Sequence, residues 1–185
     1  QLQGLLNAKK VVADIAEEFA QISGRRYGFF EEYRLDGADY AMVLIGSSAG
    51  TAKDAVDLLR EKGIKAGLLK IRMFRPFPAK EIVDALRHVK VIACMDRTES
   101  FNTQCGPIGA EVKNGLYNEN QQIPVINYVY GLGGRDVTVT SLIRVFEDMQ
   151  EAVRTGEIGE SYRYLSVRGG EPGSSRDAGS SDRQE

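Results

Sequence analysis

Apolar positions along the chain follow two periods. Leu5, Val12, Ile15, Phe19 and Ile22 are spaced by seven, three, four and three residues, one face of an amphipathic helix that Ser23-Gly24 ends. Phe29–Leu35 alternates aromatic and acidic residues, which suits an edge strand or an extended arm, and Asp36-Gly37 marks a turn. From Tyr40 onward short apolar runs alternate with helical patterns. Strand Tyr40–Ile45 leads to a helix over about 51–62 closed by Gly63. Strand Gly67–Arg72 leads through Arg75-Pro76-Phe77-Pro78 to a helix carrying Ile82, Val83, Leu86 and Val89. Strand Val91–Met95 precedes a helix carrying Ile108, Val112 and Leu116. Strand Val125–Tyr130 precedes a helix with Leu142, Phe146, Met149 and Val153 inward, capped by Thr138.

Four successive β–α units predict an α/β fold: three α/β/α layers around a mainly parallel open sheet with right-handed crossovers. The expected strand order is 2-1-3-4, with Phe29–Leu35 as a candidate antiparallel edge. Residues 1–28 are an N-terminal helix and connector, 29–168 the α/β domain. The segment 169–185 has no large apolar side chain and is expected to be disordered.

The turn Gly46-Ser47-Ser48-Ala49-Gly50-Thr51 joins a buried strand to a helix, an arrangement that leaves backbone N–H groups available to an anion. Neither Gly-x-Gly-x-x-Gly nor a Walker-type lysine motif is present. In open parallel sheets ligands bind at the carboxyl ends of the strands, beside the switch in strand order. The loops expected there carry Arg72, Arg75, Arg97 and Arg135, the carboxylates Asp96, Glu99 and Asp136, and the hydroxyls of Ser47, Ser48 and Thr51. Gly46, Ser47, Ser48, Thr51, Arg75, Arg97 and Arg135 are therefore candidates for an anion site or an interface. The competing and stronger expectation is that these groups pair among themselves, cap helices and meet a neighbouring domain.

Composition narrows the chemistry. The 185 residues are 42% hydrophobic and 27% charged, as in a globular protein with a full core, and the net charge of −2 argues against a binder of duplex nucleic acid. Apolar runs of six or seven residues fall far short of the ~20 that span a bilayer, and no signal-peptide pattern opens the chain. Cys94 and Cys105 are the only thiols, too few for a four-cysteine cluster, and read as a small buried hydrophobe and an incidental loop thiol of a reduced, cytoplasmic protein. His88, the only histidine, falls near a helix C-terminus, where an imidazolium favours the dipole. No Gly-x-Ser-x-Gly elbow exists, and Asp96-Arg97 suggests an ion-paired loop anchor more than half of a carboxylate pair. No catalytic residue and no metal ligand is assigned. The first residue, Gln1, and a chain that starts directly in a helix suggest a piece of a longer polypeptide.

Gly46–Lys53, Lys70-Ile71-Arg72-Met73-Phe74-Arg75-Pro76-Phe77-Pro78, Met95-Asp96-Arg97 with Ser100-Phe101, Gly106-Pro107 and Tyr130-Gly131-Leu132-Gly133-Gly134-Arg135-Asp136 stand in the order found in the alpha subunit of 2-oxoacid:ferredoxin oxidoreductases. The chain resembles that family over roughly Leu5 to Arg168. The Arg-Pro-Phe-Pro and Gly-Leu-Gly-Gly-Arg-Asp segments resemble the pyruvate type, pyruvate synthase. The family places glycines where this chain has Asn102 and Cys105. The resemblance implies a second domain similar to the C-terminal domain of transketolase. It also implies a multi-subunit assembly that uses thiamine diphosphate, magnesium and iron–sulfur clusters, and that has ferredoxin and coenzyme A as partners. The family's thiamine-binding residues and cluster cysteines match nothing here, so this chain alone is expected to bind none of these cofactors and to be inactive by itself. Two alternatives are a free-standing flavodoxin-like module holding a phosphorylated ligand at Gly46–Thr51, and the equivalent domain of a 2-oxoacid dehydrogenase or transketolase. Neither nucleic acid nor membrane is expected as a partner.

Overall fold

A computed structural model of the chain describes residues 1–101 and 104–166. Asn102 and the segment 169–185, expected to be disordered, lie outside the described residues. In chain order the elements are α1 (Leu2–Ser23), β1 (Phe30–Tyr33), β2 (Tyr40–Ile45), α2 (Ser48–Glu61), β3 (Ala66–Ile71), α3 (Ala79–Leu86), β4 (Val91–Asp96), α4 (Pro107–Asn118), β5 (Val125–Val129), a short 3-10 turn (Leu132–Gly134), α5 (Val139–Thr155) and β6 (Tyr162–Tyr164).

The six strands form one sheet in the order β1-β3-β2-β4-β5-β6. Four of its five pairings are parallel, and β1 runs antiparallel to β3, with Phe30 opposite Ile71. The expected 2-1-3-4 order and the antiparallel edge are both present. All of β4 and β5 is buried, which is why they read as continuous apolar runs. Alternate residues of β2 supply the two cores. Met42 and Leu44 pack with Ala52, Val56, Phe146 and Met149 under α2 and α5; Ala41 and Val43 pack with Ile82, Leu86, Ile108 and Val112 under α3 and α4.

Several boundaries differ from the sequence expectation. α2 begins at Ser48, so Ser48, Ala49, Gly50 and Thr51 are its first turn rather than a loop. Val89 lies beyond α3 and Val153 is half-buried. β6 was not expected: it pairs Asn127 with Tyr162 and Val129 with Tyr164 at the far edge. Arg163 anchors it to α5, donating to Asp148 at 2.8 Å. Thr138 caps α5 as expected, within a reciprocal capping box with Ser141. Helix α1 forms and ends at Gly24 in a left-handed conformation, yet none of its residues is buried.

The β1 edge is held by charge. Glu31 accepts from Lys53 of α2 and from Arg72 at 2.6 Å, and Tyr33 donates to Asp57 of α2 at 2.7 Å. The hydrogen bond from Lys53 and the positive charges of Lys53 and Arg72 hold the Glu31 carboxyl below its ordinary value against the opposing effect of burial. A carboxylate whose pKa is depressed on folding contributes stability that is complete above its unfolded pKa and is lost as pH falls through the folded value. Glu31→Gln is therefore expected to cost about 1 kcal/mol at pH 7. Its denaturation midpoint should approach that of the parent as the pH is lowered through the carboxylate range, and a gap unchanged at pH 3 contradicts the clamp.

Candidate functional site

β2 connects to β3 on one side while its other neighbour is β4, so the switch in strand order lies between β2 and β4. The turn after β2, the loop after β4 and the loop after β5 meet at this rim.

The base of the rim is a buried polar clamp. Asp96, 2% exposed at the end of β4, accepts the Ile108 N–H at 2.8 Å and the Gly109 N–H at 3.2 Å, capping α4 with a negative charge. Asn127, fully buried in β5, donates through Nδ2 to Asp96 Oδ2 at 2.8 Å and to the Cys94 carbonyl at 2.9 Å. Its Oδ1 accepts the Gly106 N–H at 2.5 Å. A Cβ at Gly106 would fall inside the Asp96 carboxyl, and one at Gly109 would lie 2.8 Å from Asn127 Cγ, so both positions exclude a side chain. Asp96 is a loop anchor, as the sequence suggested, but its partners are backbone amides and Asn127 rather than Arg97.

Above the clamp, Tyr130 Oη lies 3.2 Å from the Ser48 hydroxyl, a buried link between β5 and the start of α2. Burial raises the Tyr130 phenol above its ordinary value, countered by the Ser48 hydrogen bond and the Arg97 charge. The Arg97 guanidinium lies 5.8 Å from the Tyr130 ring centroid, and a Cβ at Gly131 would come within 2.8 Å of its Nε. Glu99 accepts from Tyr162 at 2.8 Å and so ties the β4 loop to β6. Burial and the adjoining carboxylate raise the Tyr162 phenol. Asp96 and Glu99 are thus engaged with different partners and do not act as a carboxylate pair.

The remaining candidates divide cleanly. Arg72 binds Glu31 and Arg75 binds Glu111 at 2.8 Å. Arg97 and Arg135 have no carboxylate partner among the described residues. At the head of α2, Gly46 adopts φ +90° with open space around it, so its glycine serves the turn and not the close approach of a neighbour. The Ala49 N–H bonds to the Gly46 carbonyl at 3.3 Å and the Gly50 N–H to the Ser47 carbonyl at 3.0 Å. Two of the N–H groups expected to face an anion are therefore already occupied. Ser47 and Thr51 remain accessible and Ser48 is buried.

His88 sits past the end of α3, with Nε2 donating to the Leu35 carbonyl at 2.9 Å. Cys94 is fully buried, which pushes its thiol well above the ordinary range. Cys105 lies in the loop before α4, as expected, and is also buried. No group of three His, Cys, Asp or Glu side chains among the described residues could hold a metal, and two buried thiols do not fit an iron–sulfur cluster. The sequence reading missed Asn127 and Tyr162. A lone asparagine inside Val125–Val129 was the available signal, since a buried amide needs partners.

Over residues 38–142 the chain matches the family described as pyruvate:ferredoxin oxidoreductase core domain II. The chain belongs to that family. It is 41% identical over 168 residues to the pyruvate synthase subunit PorA of Thermotoga maritima, covering 91% of this chain and 42% of that subunit. It is 39% identical to the ketoisovalerate oxidoreductase subunit VorA of Pyrococcus abyssi (87% and 41% covered) and 40% identical to the alpha subunit of the NADH-dependent phenylglyoxylate dehydrogenase of Aromatoleum evansii (85% and 38%). The chain thus spans about two fifths of the length of these relatives. Its fold is shared with a split-gene transketolase (TM-score 0.53, 17% identity, 70% of this chain and 43% of that one). It is shared too with the 2-oxoglutarate:ferredoxin oxidoreductase of Magnetococcus marinus (TM-score 0.51, 16% identity, 69% and 20% covered).

Asn127→Leu removes both clamp donors and the acceptor of the Gly106 N–H, and is expected to cost about 2–4 kcal/mol. Gly109→Ala should cost about 1–3 kcal/mol by overpacking, and Arg97→Ala less than about 1 kcal/mol. Urea denaturation of the three variants checks the order; an Asn127→Leu cost no greater than that of Arg97→Ala removes the clamp from its central place.

Proposed function

We propose that the chain is the second core domain of the alpha subunit of a thiamine-diphosphate-dependent pyruvate:ferredoxin oxidoreductase. The assembly converts pyruvate, coenzyme A and oxidised ferredoxin to acetyl-CoA, carbon dioxide and reduced ferredoxin. The observation that carries this is the family match together with a rim whose polar side chains are mostly engaged in holding its own loops. Residues 29–168 are the α/β domain on this reading, with 1–28 as its helix and connector.

Thiamine diphosphate with magnesium supplies the decarboxylating chemistry in such an assembly, and iron–sulfur clusters carry the electrons. Both belong to the other domains and subunits. This chain's part is structural: to pack against the thiamine-binding domain and the partner subunits. Gly46, Ser47, Ser48, Thr51, Arg75, Arg97 and Arg135 form part of the interface rather than an anion pocket, because Ala49 and Gly50 have spent their N–H groups and Arg75 is paired. Ferredoxin and coenzyme A are partners of the whole assembly, which is cytoplasmic. No helix among the described residues is long and apolar enough to cross a membrane.

Pyruvate is chosen from the Arg75-Pro76-Phe77-Pro78 and Gly131–Asp136 segments and the similarity to PorA, although the branched-chain and phenylglyoxylate relatives are nearly as similar. The purified chain is expected to show no pyruvate-dependent dye reduction and no calorimetric binding of thiamine diphosphate. The complete assembly is expected to reduce ferredoxin with pyruvate in preference to 2-ketoisovalerate and phenylglyoxylate. Turnover by the chain alone overturns the structural role. A complete assembly inert toward every 2-oxoacid overturns the reading as a whole.

A further inference from the structure

Helix α1 is 22 residues long and has no buried residue, yet its sequence is apolar around more than half of its circumference. Its contact with the body is narrow. Lys9 pairs with Glu81 of α3 at 2.6 Å and lies over the Phe29 ring, while Ala16 and Ala20 are half-buried. At 100° per residue, Val11, Val12, Ile15, Phe19 and Ile22 occupy an arc of roughly 100° beside that contact. Ile15 is 57% exposed and Ile22 85%. Of thirteen large apolar side chains exposed among the described residues, eight lie on α1, a ninth, Tyr27, packs against Phe19 with ring centroids 5.7 Å apart, and the other four are spread over separate segments. Among the described residues this is the most concentrated exposed apolar face, and faces of that kind mark interaction sites.

Two observations say what covers it. The relatives carry more than as much polypeptide again beyond the matched region, all of which must be placed around a domain of this kind. The arc is also flanked, on the side away from the body contact, by Asp14 and Glu18, which have no cationic partner among the described residues, whereas the neighbouring Glu17 is paired with Arg26 at 2.9 Å. An acidic border disfavours an anionic lipid surface, whose amphipathic helices carry lysine and arginine. In an antiparallel second copy it would bring like charges to the same side of the seam.

We propose that the outward face of α1, centred on Ile15 and Ile22, is the seam on which the rest of the α subunit docks through an apolar strip bordered by basic side chains. This rests on the reading of the chain as one domain of that subunit, and it assigns the seam to a helix distant in sequence from the loops of the rim.

The test uses the complete assembly, with the isolated chain as reference. Amides of residues 11–22 are expected to exchange at least about tenfold more slowly in the assembly than in the isolated chain. Ile15→Glu should lower the recovered assembly at least about tenfold while leaving the thermal melt of the isolated chain unchanged, since Ile15 is already exposed. Asp14→Lys with Glu18→Lys should weaken assembly at low salt and less so at high salt. A fully active parental assembly in which α1 exchanges as fast as in the isolated chain, and which Ile15→Glu leaves intact, overturns the seam and not the function. A parental assembly inert toward 2-oxoacids overturns the underlying reading. Dimerisation of the isolated chain that Ile15→Glu abolishes, with assembly unaffected, overturns the seam in favour of a second copy.

Discussion

The placement of the rim depends on one buried contact, the carboxylate of Asp96 at the head of α4, supported by Asn127. A charge in an apolar sheet is tolerated only when its oxygens are fully engaged. Here two helix N–H groups and an amide donor engage them, and the helix dipole favours the negative sign. Asn127 in turn uses both donors and its acceptor, so the pair is closed on itself. Because the clamp joins β4, β5 and α4, it fixes where the loop after β4 leaves the sheet. The absence of side chains at Gly106 and Gly109 follows from that geometry, since the helix must come close enough for its amides to reach the carboxylate.

What stands on the clamp is more wired than open. Ser48 with Tyr130, Arg97 with the Tyr130 ring, and Glu99 with Tyr162 join the heads of α2, β4, β5 and β6 into one connected edge. A ligand pocket at a switch point needs convergent donors left free in a concavity. This edge instead spends its donors internally and presents Arg97 and Arg135 from loops whose backbone is otherwise held. Such a surface is suited to meeting another folded surface of fixed shape, which agrees with the interface role proposed for this domain.

Much of the fold was legible because it is written in period. The apolar runs at Tyr40–Ile45, Val91–Asp96 and Val125–Val129 read as strands, and Thr138 announces the start of α5. The site was less legible because its partners are remote in sequence. Nothing local says that Asp96 reaches forward to Ile108 and Gly109 or across to Asn127, so adjacency made Arg97 look like its partner. The start of α2 was misplaced because glycine and serine are poor helix formers, yet Ser48 and Ala49 are buried and tertiary packing outweighs propensity there. β6 is three residues long and was lost for the same reason: its pairing with β5 is set by Arg163 reaching Asp148, not by a pattern of its own.

The edges of the sheet bear on how this domain can join others. An open sheet can associate by adding strands, and proteins that avoid this shorten or charge their edges. Both devices are present: β6 has three residues, and β1 carries Glu31 and Glu32 with Lys53 and Arg72 closing over the first of them. Strand addition is thereby disfavoured on both sides, which leaves the rim loops and the helix faces as the routes to stable contact. The faces of α2 and α5 are spent on one core and those of α3 and α4 on the other. Among the described helices only α1 retains an apolar face that the domain does not cover, and a helix of this kind draws most of its stability from packing. Its order and its docking are therefore coupled, so the surface that joins this domain to its neighbours is also the part of it that gains most from being joined.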